Sequence, residues 1–263
     1  MRVMVWNVWW RFGDDWRARE KGILATLETY RPDVLGLVES WSGDGTDQPH
    51  RLASSAGGMH SAWIPATDAA FSDPDHPGVD AGLGLVSRWP ILALETPGLP
   101  HDQRGGAHPV ALVATLDHPR GPLHVIVAGT EWETQFAADH LAQTRFLAAL
   151  ATDTRFDGPL PVLLLADLNA SVDQPELAPL VDAMVDTWEA AGGDPAAVTL
   201  DGRLAIAPRD AVKQLDRRID HVFARVGRPG LPLSVHGAFV AGDRPIGGVY
   251  PSDHSAVGVD LEP

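Results

Sequence analysis

Short apolar segments that end in a polar residue recur along this chain of 263 residues, and they limit its fold more than any other feature. Apolar runs of this length, bounded by turn residues, are typical of buried strands. If these strands lie in two facing sheets, their ends can meet at one rim. The polar residues that follow or interrupt the segments are Asn7, Glu39, Asp167, Asn169, Asp220, Asp253 and His254.

Helical spacing appears between the predicted strands. Asp14 and Asp15 can cap a first helix that ends before Pro32, and a short helix is predicted to start near Pro175, a residue suited to a first helical turn. The apolar positions that indicate one face of the first helix are Ile23, Leu24, Leu27 and Tyr30. Those that indicate a further helix are Ala142, Phe146, Ala149 and Leu150.

The order of these elements predicts the fold class. Segments such as GLGLVSRW and HPVALVATLD indicate antiparallel strands. We therefore predict an α/β (α+β) fold, a two-layer β-sandwich of mostly antiparallel sheets flanked by helices. No linker divides the chain, so residues 1–263 are predicted to form a single domain. Residues 66–81 and 189–216 are expected to be long surface loops that shape a site.

Charge and composition exclude several classes of protein. Lys and Arg total 20 against 35 Asp and Glu, which gives a net charge of −15, so we expect no extended duplex-binding surface. The absence of cysteine excludes disulfides, thiolate metal sites and a cysteine nucleophile. No signal peptide is evident and no run of about 18 apolar residues is present, so we expect no membrane span and a cytoplasmic location.

The polar residues at the strand ends favour a site for a hard cation. Carboxylate and amide oxygens suit Mg²⁺, Mn²⁺ or Ca²⁺. Taken singly, each such residue is more often a turn former or a helix cap. Asp220 lies inside an apolar run, where a carboxylate needs a partner, and His254 can be that partner as a general acid or base.

Taken together, the segments resemble the endonuclease/exonuclease/phosphatase superfamily, with its deoxyribonuclease-I-like fold, over almost the whole chain. Val38 stands where this superfamily usually has Gln. The segments that carry the resemblance, in the expected order, are VWNV, RPDVLGLVES, GLGLVSRWPI, LLLADLNAS, RRIDHVFAR and PSDHSAV.

The resemblance implies metal-dependent hydrolysis of a phosphate ester. Mg²⁺ (or Mn²⁺) would be held by Glu39, with help from Asn7 and Asp253, and would polarise a phosphoryl oxygen. The partner would be a phosphorylated substrate, with nucleotides and short nucleic acids among the candidates. A phosphodiesterase or nuclease is the leading interpretation.

The same resemblance implies the catalytic roles. Asp167 would position or deprotonate the attacking water, and Asn169 would donate a hydrogen bond to the phosphate. His254, held by Asp220, would donate to a phosphoryl oxygen. Arg104 lies where the superfamily often has an arginine that binds phosphate.

The sequence departs from the superfamily at VAGTEWE, where Glu131 replaces the histidine of T-H-L. A carboxylate repels phosphate unless a cation neutralises it. Glu131 is therefore predicted to bind a cation beside the substrate, to leave a weaker phosphate site, or to point away and pair with an arginine such as Arg145. His140 is predicted to face solvent on its helix rather than to replace the missing histidine.

Tryptophans follow several of these strand ends, and they suggest either packing at the rim or stacking against a base. Trp9, directly after the first strand, is the candidate for substrate binding, and the others are Trp10, Trp41 and Trp132. Two other functions remain open: a small-molecule or lipid phosphatase of the same fold, and a binding protein without catalysis. A serine hydrolase using Ser252 lacks a nucleophile elbow.

Overall fold

The computed structural model of the chain describes residues 1–13, 15–71, 73–229 and 232–262. The strands in chain order are β1 (Arg2–Asn7), β2 (Val34–Gly43), β3 (Thr46–Asp47), β4 (His60–Pro65), β5 (Asp80–Ser87), β6 (Ile91–Glu95), β7 (Leu112–His118), β8 (Gly121–Gly129), β9 (Val162–Asp167), β10 (Val185–Asp186), β11 (Asp220–Arg225), β12 (Ser234–Ala241) and β13 (Ala256–Glu262). The helices are α1 (Trp16–Tyr30), α2 (Gln48–Ser55), α3 (Ala137–Ala151), α4 (Ala178–Ala183) and α5 (Thr187–Ala190).

These strands form two sheets. The first has the order β12-β13-β1-β2-β5-β4, with β3 paired to β2, and the second has the order β10-β11-β9-β8-β7-β6. Only the pairs β1–β2 and β8–β9 are parallel in the part of the chain that the structure describes. The predicted α/β sandwich of mostly antiparallel sheets is confirmed.

The two sheets pack face to face through a shared apolar core. Val3 and Val5 of the first sheet lie in one cluster with Leu163 and Leu165 of the second. The two sheets approach each other closely at Gly36, because a Cβ there would be 2.9 Å from the Cβ of Leu165. This close approach explains the glycine within DVLGLVES.

Helices cover the outer faces of both sheets. Ile23 and Leu27 of α1 pack with Met4 of β1, and Leu147 of α3 packs with Leu164 of β9. Burying these aliphatic side chains contributes roughly 1.5–3 kcal/mol each.

The predicted helices are confirmed at slightly different bounds. Helix α1 ends at Tyr30, and Arg31 then adopts a left-handed conformation with φ 49°. Asp14 lies outside the described residues, and the side chain of Asp15 makes no capping hydrogen bond, so the cap predicted there is wrong for Asp15. Pro175 begins a short 3₁₀ turn that leads into α4.

The two predicted loops border the rim of the sheets. The first ends at Asp80, where β5 begins, and the second follows α5 and continues to β11. Among the described residues, no helix is both long enough and apolar enough to cross a membrane. The cytoplasmic location stays a prediction.

Candidate active site

The direction of the strands brings the predicted site residues to one rim. Parallel strands end at the same edge of a sheet, so Asn7 at the end of β1 lies at the edge that β2 reaches. Asp167 ends β9, and Asp220 begins the antiparallel strand β11 directly opposite it. Glu39 lies where the pairing of β2 with β5 shifts register, in a left-handed conformation with φ 54°.

Asn7 joins two of the carboxylates. Its side-chain nitrogen donates to Oε1 of Glu39 and to Oδ2 of Asp167, each at 3.0 Å. Its side-chain oxygen accepts from the backbone N–H of Trp9 at 3.0 Å. Both amide hydrogens are therefore used to hold Glu39 beside Asp167.

Asp220 and His254 form a buried pair, as predicted. His254 Nδ1 lies 2.9 Å from Oδ2 of Asp220, whose side chain is fully buried. The other oxygen of Asp220 has no hydrogen-bond partner among the described residues. Ligand atoms of Asp167, Asp220 and His254 all lie within 4.8 Å of one another, so these three groups can act on one small substrate.

Burial and mutual charge change the acidity of these groups. Burial, and then the charge of Asp220, raise the pKa of Asp167 to about 6. Burial alone would lower the pKa of His254, but the charges of Asp220 and Asp167 raise it well above its usual value. Burial also raises the pKa of Asp253 to about 6 and that of Glu39 above its ordinary value. Burial at this rim therefore makes the charged form of three carboxylates less favourable than it is in water.

This donor set fits a hard divalent cation. The carboxylates of Glu39, Asp253 and Asp167 carry oxygen atoms of the kind that suits Mg²⁺ or Mn²⁺ and suits a soft metal poorly, so these residues could hold such an ion. A cation here would also offset the cost of burying like charges. The unpartnered oxygen of Asp220 is a further sign that the site is incomplete without a positively charged partner.

Glu131 is neutralised by Arg104 rather than by Arg145. Its Oε1 lies 2.7 Å from Nη1 of Arg104 and accepts the backbone N–H groups of Trp132 and Glu133, each at 2.9 Å. Arg104 forms a second ion pair with Glu133. Of the three alternatives for Glu131, the structure shows a pairing with an arginine, but that arginine is Arg104 rather than Arg145, and Glu131 lines the cleft instead of pointing away.

Helix α3 turns polar side chains toward the rim, in contrast to the predicted face. Ala149 of the predicted apolar face is exposed, whereas His140 is buried, so the prediction that His140 faces solvent is wrong. His140 Nε2 bonds to the carbonyl of Leu168 at 2.8 Å and lies 3.2 Å from Oγ1 of Thr130. Helical periodicity could not reveal this, because the partners come from distant loops.

Two further residues of α3 hold the same rim. Asp139 accepts the backbone N–H groups of Asp102, Gln103 and Arg104, and these bonds hold the loop that carries Arg104. Gln143 accepts the N–H of Glu131 at 2.7 Å and donates to the carbonyl of Pro100 at 2.9 Å. Their spacing of four residues on one helical face was the one signal available in the sequence.

Trp9 and Trp10 have different surroundings. Trp10, not Trp9, is among the described residues that line the cleft beside Glu39. The ring of Trp9 packs against the guanidinium of Arg19, 4.6 Å from the ring centroid. Arg19 is buried and donates to backbone carbonyls of the β1–α1 loop, including that of Phe12 at 2.7 Å.

Further hydrogen bonds hold the catalytic candidates in place, and two of them are made by Thr199, which the sequence did not single out. Ser252 Oγ donates to the carbonyl of Asn7 at 2.8 Å, which is a structural use of this hydroxyl. Thr199 Oγ1 accepts the N–H groups of Ile219 and Asp220 at 3.0 and 3.3 Å. Asn169 Nδ2 donates to the carbonyl of Thr130 at 2.9 Å, which leaves one amide hydrogen for a substrate.

The chain belongs to the Endonuclease/Exonuclease/phosphatase family, because the model of this family matches residues 4–254. Members of this family are phosphoester hydrolases. No curated protein is significantly similar to the chain in sequence.

Solved structures share the fold. An endonuclease/exonuclease/phosphatase from Beutenbergia cavernae is 26% identical, with a TM-score of 0.73 over 99% of this chain and 71% of that chain. D. rerio TDP2 complexed with single strand DNA product is 18% identical, with a TM-score of 0.75 over 100% of this chain and 99% of that chain. Truncated Caenorhabditis elegans TDP2 is 16% identical, with a TM-score of 0.74 over 99% and 96% of the two chains.

Proposed function

We propose that this protein is a divalent-metal-dependent hydrolase of phosphate esters, of the phosphodiesterase type. The observation that carries the proposal is the Asp220–His254 pair at 2.9 Å, set beside Asp167 and next to the carboxylate that Asn7 holds in place. These groups supply a base, an acid and oxygen ligands for a cation within one rim.

Glu39 and Asp253, supported by Asn7, would hold Mg²⁺ or Mn²⁺. When bound, such an ion polarises a phosphoryl oxygen and neutralises the charge that develops on it. Asn7 orients the ligand set through its amide nitrogen.

The chain's own residues account for the proton transfers. Asp167, with a pKa of about 6, is ionised at neutral pH and can accept a proton from the attacking water. The water oxygen bonds to phosphorus while the ester P–O bond breaks, and the leaving oxygen takes up, by way of solvent, the proton that Asp167 accepted and departs as an alcohol. His254 bonds to Asp220 through Nδ1, so its protonated Nε2 is free to donate to a phosphoryl oxygen.

The charges around the rim favour a diester over a monoester. A phosphodiester carries one negative charge, and a monoester carries nearly two at neutral pH. Arg104, the candidate phosphate ligand, is shared with Glu131 and Glu133, so the additional charge would meet no free arginine there. Single-stranded nucleic acid stays a candidate substrate, since the D. rerio TDP2 neighbour was solved with a single strand DNA product.

The test is hydrolysis of bis(p-nitrophenyl) phosphate with Mg²⁺ or Mn²⁺, together with Glu39→Gln. This change keeps the shape of the side chain and removes a charge that holds the ion, so we expect metal affinity to fall roughly 10- to 100-fold. Calorimetry measures the affinity, and Glu28→Gln on the exposed face of α1 is the matched control.

Unchanged Mg²⁺ affinity in Glu39→Gln would contradict the assignment of Glu39 as a metal ligand. If the wild-type protein hydrolyses no phosphate ester with either metal, the protein is a binding protein that keeps the fold.

A further inference from the structure

The cleft at the rim has a polar end and an apolar remainder. Its volume is about 540 Å³, within the range of sites for small ligands. Glu39, Asp167 and Asn169 line the polar end. Away from them the lining is mostly hydrophobic and comes from the loop after β4, from β5 and from the segment before β7.

An aromatic wall, defined here as Trp10, Phe12 and Phe71, closes one side of this cleft. The ring centroids of Trp10 and Phe71 are 4.9 Å apart in an edge-to-face arrangement, and those of Trp10 and Phe12 are 5.1 Å apart. Trp10 is buried and donates from Nε1 to the carbonyl of Asp80 at 3.0 Å. The wall is therefore fixed in place, while Phe71 keeps 38% of its surface exposed.

The cleft offers no free cation for a second phosphate. Arg104 is the one Lys or Arg among the described residues that line it. Its guanidinium is paired with both Glu131 and Glu133, so the three groups together carry one net negative charge. Asp139 holds the backbone of Arg104, which keeps the side chain next to these two glutamates.

Neighbouring cations are also engaged. Arg11 stacks between Trp16 and Trp41, with its Cζ 4.3 and 4.1 Å from the ring centroids, and bonds to Asp44 at 2.9 Å. Arg19 is buried and bound to backbone carbonyls. Neither side chain can turn to a substrate without breaking these contacts.

From these observations we propose that the substrate is a small ester with a single phosphate and an aromatic substituent that lies against the aromatic wall. This inference rests on the proposed function. Each further phosphate of a polynucleotide needs a positively charged partner in place of its counterions. Here it would meet hydrophobic side chains or the pair Glu131 and Glu133, whereas an aromatic ring would bury apolar surface there.

The experiment compares ligands that share a phosphate and differ in the substituent. Calorimetry with saturating Mg²⁺ measures the Kd of two diesters, methyl phenyl phosphate (the phenyl compound) and dimethyl phosphate (the methyl compound). We expect the phenyl compound to bind roughly 10- to 100-fold more tightly, because the ring is removed from water at the aromatic wall.

A second pair of ligands tests the effect of an additional phosphate charge. Thymidine 3′,5′-bisphosphate is expected to bind roughly 10-fold more weakly than thymidine 5′-monophosphate.

Two test variants and one control connect these results to named residues. Phe71→Ser, in an exposed loop position, should reduce the preference for the phenyl compound to about threefold or less. Ile246→Ser removes an apolar side chain with the same exposed fraction, 38%, outside the cleft and should leave the preference unchanged. Glu133→Gln releases one side of Arg104 and should improve binding of the bisphosphate.

Equal affinity for the phenyl and methyl compounds, or tighter binding of the bisphosphate, overturns the inference. Thermal unfolding confirms that each variant is folded, and the two ligand pairs test wild-type protein without any variant. The proposed function is tested separately: it is contradicted if the protein shows no metal-dependent turnover of bis(p-nitrophenyl) phosphate. A protein that turns over this diester and shows no preference for an aromatic ring keeps the proposed function and loses only the substrate class.

Discussion

At the scale of single residues, His254 and Asp220 form the contact on which the proposed chemistry depends most. Asp220 accepts from Nδ1 of His254 at 2.9 Å. Because Asp220 is fully buried, water cannot take the place of this partner. An orienting carboxylate and its histidine act as one unit, and their losses are not additive.

We therefore expect Asp220→Asn and His254→Ala each to lower kcat by roughly 10²- to 10⁴-fold. The double variant should be little worse than the more damaged single variant. Steady-state kinetics on bis(p-nitrophenyl) phosphate gives these values. Multiplicative losses in the double variant would show that the two side chains act independently.

His221, next to Asp220, is a buried histidine whose neutral form the structure requires. Its Nε2 lies 2.8 Å from the carbonyl of Ala170, and its Nδ1 lies 2.7 Å from Nη1 of Arg218. Burial, and then the positive charge of Arg218, hold the pKa of His221 well below its ordinary value.

A lowered pKa in the folded protein makes stability depend on pH in a defined direction. Below about pH 6.5 the unfolded chain binds a proton at His221 that the folded protein excludes, so stability falls as the pH falls. This histidine contributes up to about 1.4 kcal/mol per pH unit in that window. His221→Gln keeps a donor and an acceptor and removes the proton site, so its stability should fall less between pH 7 and pH 5.

Urea unfolding at several pH values measures this difference. His60→Gln makes the same chemical change at an exposed position of β4 and serves as the control. If stability depends on pH in the same way in wild type and in His221→Gln, the pKa of His221 is the same in the folded and the unfolded protein.

At the scale of secondary-structure elements, α3 connects the outer helical layer to the rim. Gln143 is buried and bonds to the backbone of Glu131 and to that of Pro100, from two different loops. Gln143→Met keeps the approximate shape and leaves two backbone groups unpaired. We expect a loss of about 2–6 kcal/mol in the free energy of unfolding, since each of the two unpaired buried groups costs about 1–3 kcal/mol.

Urea unfolding also tests this prediction, with Arg145→Met at an exposed position of the same helix as the control. The KM should rise together with the loss of stability, because the loops held by Gln143 line the cleft. A loss no larger than that of the control would show that water satisfies both backbone groups.

Secondary-structure elements that are marked by a pattern within their own residues were predicted correctly from the sequence. Strands β1, β2 and β9 have continuous apolar runs, and each ends at a polar residue, so both the strand and its site residue could be recognised. Helix α2 was not predicted, because its eight residues are too few to show a clear helical period. The face predicted for α3 is confirmed at Leu150 and in part at Phe146. Ala149 is exposed instead, and the polar side chains that complete the inward face bond to loops far away in sequence.

The same distinction applies to the site. The pairing of Asp220 with His254 could be predicted because a carboxylate within an apolar run requires a partner. The partner of Glu131 could not, because Arg104 lies 27 residues earlier and reaches Glu131 only through a loop that Asp139 holds. The place of Trp10 in the lining of the cleft likewise depends on the left-handed backbone at Trp9 and Trp10, with φ 56° and 36°, which no sequence pattern indicated.

At the scale of the whole molecule, the net charge of −15 sets how an anionic substrate approaches. A protein whose net charge has the same sign as that of its substrate repels the substrate, and this slows their encounter. Dissolved salt screens the repulsion, with a Debye length of about 10 Å at 0.1 M. Proteins that bind nucleic acid through basic surfaces show the opposite dependence, because salt weakens their contacts. The direction of the salt effect therefore distinguishes these two kinds of approach.

We expect kcat/KM for bis(p-nitrophenyl) phosphate to rise roughly two- to fivefold between 10 mM and 200 mM salt at constant free Mg²⁺. The value of kcat should stay constant, because at saturation the encounter no longer limits turnover. A short oligonucleotide carries more charge, so any turnover of it should rise more steeply with salt. A value of kcat/KM that falls with added salt would show that a local basic surface, rather than the net charge, guides the substrate to the rim.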